Sequence, residues 1–378
     1  MRHHTLIALA AVLLAATAAL NAAERSERHM STKVPEPYSL IVCPATPEHP
    51  RNGEADMIRL TNGDLLLAYG RWNSGQSDFD TAEVWCKTSS DGGKTWSNDR
   101  VLVRNEGKLT TFSVSLLRLK TGSVLMSYVV KDSREDCNVF FRTSADDCKT
   151  WSPRRKFEMP QPCSGYTAMN NARLIQLTNG RVLAAAWART VGGSPLIGFT
   201  LYSDDNGQTW KKSTDVDMRT LDPNDKVGTQ EPGVIELKDG RVMMLIRNGF
   251  GCIARAYSSD HGETWSKPEL IRELEAPVAP ASIARIPATG DLLLIWNRNK
   301  AARRPLNSAI SKDEGKTWES IRVIDDADGR PWPGFAYTSI TPVGDNVVLT
   351  YWRDEPAGVS LKLKSIDYRW FYEHSREQ

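Results

Sequence analysis

One short motif returns five times along this chain. Aligned on its tryptophan, it reads SSDGGKTW to Trp96, SADDCKTW to Trp151, SDDNGQTW to Trp210, SSDHGETW to Trp265 and SKDEGKTW to Trp318. The intervals are 55, 59, 55 and 53 residues. A repeat of about this length is one supersecondary unit, stacked into a solenoid, propeller or array, and it is near the length of a four-stranded propeller blade. In the pattern S-x-D-x-G-x-T-W, a Ser or Asp oxygen can bond turn amides, Gly can take positive φ and Trp can pack under the hairpin. A calcium loop needs several oxygen ligands at alternate positions, and these turns offer too few. The motif, Asp91 and its counterparts included, therefore reads as a structural staple at the blade rims, and the chemistry must lie elsewhere.

A second periodicity is independent of the first. Six segments join a turn to an apolar strand: TNGDLLLAYGRW, KTGSVLMSYVV, TNGRVLAAAWAR, KDGRVMMLIRN, ATGDLLLIWNRN and VGDNVVLTYWRD. Asn-Gly, Asp-Gly and Thr-Gly followed by β-branched or aromatic residues are hairpin signals. Outside the first residues no segment has a helical apolar period, so the expectation is an all-β, six-bladed β-propeller. The sixth blade lacks the acidic turn; its last strands are VVLTYWRD and SLKLKSIDYRW. The early strand YSLIVCPA pairs beside them and closes the ring, leaving no open sheet edge.

Of the 378 residues 40% are hydrophobic, enough for a large core, and a formal charge of +2 lacks the excess of a nucleic-acid binder. The start, MRHHTLIALAAVLLAATAALNAAE, has a basic head, an uncharged apolar run and small residues at Ala22 and Ala23. It reads as a signal peptide over 1–23, with a linker over 24–36 and the propeller over 37–378. No later segment is apolar enough to span a bilayer, so the expected location is secreted or periplasmic. Six cysteines remain after cleavage, without CxxC spacing or a paired histidine motif; a zinc site is not expected and no disulfide is assigned.

The repeat and its spacing resemble the sialidase (neuraminidase) superfamily, whose members carry this Asp-box, or BNR, repeat on a six-bladed propeller. The most specific stretch is TQEPGVIELKDGRVMMLIRN followed by RAYSSDHGETW. By that resemblance Glu231 partners a tyrosine nucleophile and Arg247 grips a substrate carboxylate. RRPLNSAISKDEGKTW is similar to the segment supplying another carboxylate-binding arginine, assigned to Arg304 with Arg303 as the alternative. GFAYTSITPVGDNVVLTYW is similar to the tyrosine segment, which makes Tyr337 the nucleophile. The family's acid lies on the loop here reading GRWNSGQSDFDTAEVW, which implies Asp78, with Asp80 second.

The chain departs from the family at the first binding arginine. HPRNGEADMIRLTNG offers Arg51 without the usual Ile-Pro and at a longer spacing from its hairpin. Glu54 and Asp56 stand close by, either to hold an arginine or to contact sugar hydroxyls, and they bear on which sugar is bound. GYTAMNNARLIQLTNG places Asn170, Asn171 and Arg173 ahead of the third hairpin. Equivalent positions on successive blades converge on one channel mouth, so these three are expected to hydrogen-bond substrate.

The resemblance implies an exo-acting, retaining glycoside hydrolase acting on a terminal acidic sugar. A carboxylate next to the anomeric carbon repels an anionic nucleophile but not a neutral phenol, and the phenol needs a base. Glu231 is that base, the arginines bind the sugar carboxylate bidentately, and Asp78 protonates the leaving oxygen. The scheme calls for no metal and no cofactor. The expected partner is a glycan, with no nucleic acid and no membrane span after signal cleavage. A polysaccharide lyase acting on uronates and a non-catalytic glycan-binding propeller are the alternatives. Sugar, linkage, cysteine pairing and oligomeric state stay open.

Overall fold

The computed structural model describes residues 34–161 and 163–373; the predicted leader lies outside the described residues. Six antiparallel sheets follow one another along the chain, and no α-helix occurs among the described residues. Blade 1 consists of Asn52–Arg59, Leu65–Trp72, Ala82–Ser89 and Arg100–Val103, in that spatial order. Blade 2 repeats this with Thr110–Arg118, Val124–Lys131, Cys137–Ser144 and Arg155–Lys156. In blade 3 the inner strand is broken into Thr167–Ala168 and Leu174–Gln176, both paired with Val182–Arg189, and Leu196–Ser203 and Lys211–Lys212 follow. Blade 4 runs Gln230–Glu236, Val242–Arg247, Cys252–Ser258 and Glu269–Glu275; blade 5 runs Ser282–Arg285, Leu292–Asn297, Leu306–Ser311 and Glu319–Asp325.

Blade 6 takes Gly334–Val343, Asn346–Glu355 and Gly358–Asp367 from the end of the chain and its fourth strand, Tyr38–Cys43, from the beginning. The expected closure is present, with Tyr38 opposite Ser365 and Leu40 opposite Leu363. The ring is thus fastened by main-chain hydrogen bonds between strands more than 300 residues apart in sequence.

The second strand of each blade is the most apolar because it is covered on both faces by neighbouring blades. All eight residues of Val124–Lys131 are buried, a run rather than an alternation. The repeated motif serves this packing in two ways. In its first copy Asp91 accepts from the Thr95 amide at 2.9 Å and hydroxyl at 2.7 Å, while Ser89 donates to Asp91 at 2.8 Å and accepts from Gly93 N at 2.9 Å. The same four bonds recur at Asp146, Asp205, Asp260 and Asp313. The motif's tryptophan then reaches across a blade boundary rather than only under its own hairpin. Trp210 of blade 3 stacks on Phe141 of blade 2 with ring centroids 4.2 Å apart. The second copy has Cys148 at φ 69 where the other four have glycine, and its thiol is buried in the blade 1–blade 2 core. All six cysteines are free thiols.

Candidate active site

Five of the six inner strands share one irregularity, and it builds the site. In blades 1, 2, 4 and 6 the pairing register slips between Gly53 and Asp56, Phe112 and Ser115, Gln230 and Gly233, and Ala336 and Ser339. Inside each slip one non-glycine residue takes positive φ: Glu54 at 50°, Ser113 at 61°, Glu231 at 41° and Tyr337 at 58°. In blade 3 the corresponding break carries Ala172 at 55°. Such a conformation costs about 1–3 kcal/mol per residue and persists only where surrounding contacts enforce it. A bulge re-aims a side chain, and these four line one cavity of about 310 Å³ at the channel mouth.

At its centre the Tyr337 hydroxyl donates to Glu231 Oε1 at 3.0 Å. Arg247, the last residue of its strand, ion-pairs with Glu231 Oε2 and lies 3.4 Å from the Tyr337 oxygen. Burial works to raise the Glu231 carboxyl, but the charge and hydrogen bond of Arg247 outweigh it and hold the group below the usual carboxylate range. Tyr337 is itself buried, and burial next to the Glu231 charge pushes its phenol well above the ordinary value. Its ring packs edge-on against Trp352 at 4.4 Å. The pair therefore consists of a neutral phenol in contact with a carboxylate kept ionised to receive its proton.

Arg303, not Arg304, supplies the second arginine of the cavity. Its guanidinium lies 5.6 Å from the Tyr337 ring centroid and 5.3 Å from that of Trp352. Of these two adjacent side chains only Arg303 lines the cavity; the Arg304 carbonyl instead anchors the loop by accepting from Asn299 Nδ2 at 3.0 Å.

The blade 1 wall differs more from expectation. Arg51 lies three residues before the bulge and so sits behind the wall, its guanidinium 4.0 Å from the Trp72 ring centroid and 5.3 Å from that of Trp352. Nη2 donates to Glu54 Oε1 and Nη1 to Asp78 Oδ1, both at 2.7 Å, and Nη1 also reaches the Gln76 carbonyl at 2.8 Å. Arg51 is committed to carboxylates of its own blade and does not line the cavity; Glu54 and Asp78 do. Burial pushes Glu54 up to about 7 despite Arg51. Asp78, its side chain 53% exposed, is moved the other way, because Arg51 and Lys131 prevail over its partial desolvation. Asp80 turns back into its own loop, accepting from Ser77 N at 2.8 Å.

The three residues proposed from blade 3 separate. Asn170 lines the cavity, its Oδ1 accepting from Trp187 Nε1 at 3.2 Å. Asn171 is structural: its Nδ2 donates to the Ala55 carbonyl at 2.8 Å and the Tyr337 carbonyl at 3.0 Å, tying three inner strands together across the channel. Arg173 faces a second cavity lower in the channel and donates to the Ala281 carbonyl at 3.1 Å. Asp56 lines that cavity too, where it accepts from Met57 N and Leu116 N, each at 2.8 Å.

Sequence reasoning missed Lys131, which lines the upper cavity. Its buried ammonium donates to the Asp78 carbonyl at 3.2 Å and lies within 6 Å of the ring centroids of Phe79, Phe112 and Tyr166. A signal was available, since Lys131 ends the second strand of its blade as Arg247 ends that of blade 4. Ser113, Gln230 and Trp352 were also missed, for want of any chemical mark in the sequence.

These features define a six-bladed propeller stapled by Asp-box turns, with tyrosine, glutamate and arginines gathered at the channel mouth. The BNR repeat-like domain family matches residues 63–349, and the chain belongs to it, within the sialidase superfamily. It is 25% identical over 344 residues to a sialidase of Micromonospora viridifaciens, covering 82% of this chain and 50% of that protein. A sialidase of Bacteroides fragilis (strain YCH46) is 25% identical over 349 residues, covering 82% of this chain and 62% of that one. The chain thus spans half to about three-fifths of the length of these relatives. A protein of unknown function from Dyadobacter fermentans shares the fold with a TM-score of 0.72 at 20% identity, covering 88% of this chain and 99% of that one.

Proposed function

We infer that this protein is an exo-acting, retaining glycoside hydrolase of sialidase type that releases a terminal acidic sugar from a glycan. The observation that carries the reading is the 3.0 Å hydrogen bond from the Tyr337 hydroxyl to a Glu231 carboxylate held ionised by Arg247. A buried phenol is a weak nucleophile until its proton leaves, and Glu231 stands where that proton is delivered. Being neutral before attack, the phenol approaches an anomeric carbon beside a carboxylate without charge repulsion. Arg247 and Arg303 offer planar donors to that carboxylate. A cavity of about 310 Å³ is at the small end of ligand sites and favours one terminal residue over a threaded polymer. The acid belongs to the blade 1 wall, where Asp78 and Glu54 share Arg51. Residues 1–23 direct export, making the protein secreted or periplasmic.

One observation favours an acidic sugar other than sialic acid. Arg51 is engaged by Glu54 and Asp78, so the cavity presents two arginines and a carboxyl where a full arginine set was expected. The test is hydrolysis of a fluorogenic α-sialoside by wild type, Tyr337→Phe and Glu231→Gln at equal concentration. Release by wild type, lost in both variants, supports a sialidase with these roles. A folded wild type without release sends the search first to other sugars with a carboxylate on the anomeric carbon and then to uronosides. Absorbance from a new double bond would then identify a lyase, and glycan binding without turnover a lectin; either result refutes hydrolysis.

A further inference from the structure

Glu54 occupies the place on blade 1 that carries Glu231 on blade 4 and Tyr337 on blade 6. All three are buried, sit in the inner-strand bulge at positive φ and line the same cavity. Arg51 takes one oxygen of Glu54, Oε1, and the Ser113 side chain lies in the adjoining wall. The charged and titratable groups that share its cavity or pair with it are Arg51 and Asp78 of blade 1, Lys131 of blade 2, Tyr166 at the start of blade 3, Glu231 and Arg247 of blade 4, Arg303 of blade 5 and Tyr337 of blade 6. Desolvation, with the negative charges of Asp78 and Glu231, lifts the Glu54 carboxyl to about 7 against the pull of Arg51. Asp78 lies at the cavity's outer edge, half-exposed and ion-paired, and is already ionised at neutral pH. A general acid must hold a proton at working pH and yet be able to give it up, and Glu54 meets that condition better than Asp78.

We propose that Glu54, rather than Asp78, exchanges the proton with the bound glycoside, and that Arg51 is a positioning residue for the two carboxyls instead of a ligand of the substrate. This rests on the glycoside-hydrolase reading above. In the first half-reaction the Tyr337 oxygen bonds to the anomeric carbon as the glycosidic C–O bond breaks. The phenolic proton passes to Glu231, and the Glu54 proton passes to the departing oxygen, which leaves as a neutral alcohol. In the second, water bonds to the anomeric carbon and yields a proton to Glu54, while the Tyr337 oxygen departs and recovers its proton from Glu231. The substrate's own acidic group then lies toward Arg247 and Arg303, away from Glu54.

The test compares wild type, Glu54→Gln and Asp78→Asn on 4-nitrophenyl and benzyl glycosides of sialic acid and glucuronic acid. Glu54→Gln is expected to slow the benzyl glycosides about 10²–10⁴-fold, to slow the nitrophenyl ones far less, and to abolish the alkaline limb of kcat/KM near pH 7. Asp78→Asn should keep an alkaline limb, moved to lower pH because a negative charge beside Glu54 is gone, and should retain the wild-type ratio between leaving groups. Arg51→Met should move the limb to higher pH, because the cation opposing desolvation is gone. Leaving-group sensitivity that follows Asp78→Asn instead overturns the assignment. If wild type cleaves none of these glycosides, the hydrolase reading fails for this panel and ¹³C NMR of carboxyl-labelled glutamate decides the present one. A signal missing from Glu54→Gln and titrating between pH 6 and 8 supports a proton-exchanging Glu54. A Glu54 signal already ionised at pH 5 refutes it.

Discussion

Replacing Arg247 by methionine should reverse the pH dependence of stability at this site. Glu231 and Arg247 are both largely buried, with side chains 9% and 14% exposed, and they are ion-paired. Removing one partner of a buried pair costs about 3–5 kcal/mol, because the remaining charge is left without compensation. In the wild type the Glu231 pKa lies below its unfolded value. Its contribution is therefore fully present above the unfolded pKa and is lost as pH falls through the folded one. Without Arg247 burial dominates and the folded pKa rises above the unfolded value. The site then destabilises the variant increasingly as pH climbs toward that new pKa. The stability gap between wild type and Arg247→Met should be about 3–5 kcal/mol at pH 7.5. It should close on acidification by about 1.4 kcal/mol for each unit by which the pKa has moved. Urea denaturation of wild type, Arg247→Met and Arg247→Met/Glu231→Gln between pH 4 and 8 measures this. The double variant should recover most of the loss at pH 7.5. A gap independent of pH, or a double variant no more stable than the single, would refute the account of a compensated buried charge.

Other substitutions probe the remaining parts of the site and scaffold. Arg303→Ala should raise KM for an acidic substrate at least tenfold, while Arg304→Ala should change it less than threefold; steady-state kinetics decide, and the reverse order would return the assignment to Arg304. Asn171→Ala leaves the Ala55 and Tyr337 carbonyls without a donor and should cost about 1–3 kcal/mol, read by chemical denaturation. Because Asn171 also fixes the backbone at Tyr337, kcat should fall more than KM changes. Asp205→Ala removes the acceptor of four bonds in the third Asp-box turn and should lower stability by about 1–2 kcal/mol with kcat unchanged. Loss of activity there at full stability would contradict the structural role of the turn.

The fold could be read before the structure because its signals are local. Each Asp-box turn closes within five residues, and each hairpin is marked by its own dipeptide and apolar strand, so blade number and class follow from counting. Ring closure was legible for the same reason, since a single unpaired strand at one end faced an incomplete blade at the other. That Tyr337, Glu231 and Arg247 meet in one cavity was legible because they sit inside patterned segments. Lys131, the choice between Arg303 and Arg304 and the fate of Arg173 were not, since each depends on which way one side chain turns at a strand end or loop.

The chain alone settles that there are six blades, where their turns lie and which strands hold the candidate site residues, because hydrogen bonding in turns and two-residue alternation act between neighbours in sequence. Tertiary structure alone decides that Arg51 faces two carboxyls instead of the cavity, and that Glu54 joins Glu231 and Tyr337 there. The physical reason is that both outcomes turn on inner-strand bulges: a register slip by one residue exchanges the faces of a strand, and its cost is balanced by contacts from other blades that no local pattern records.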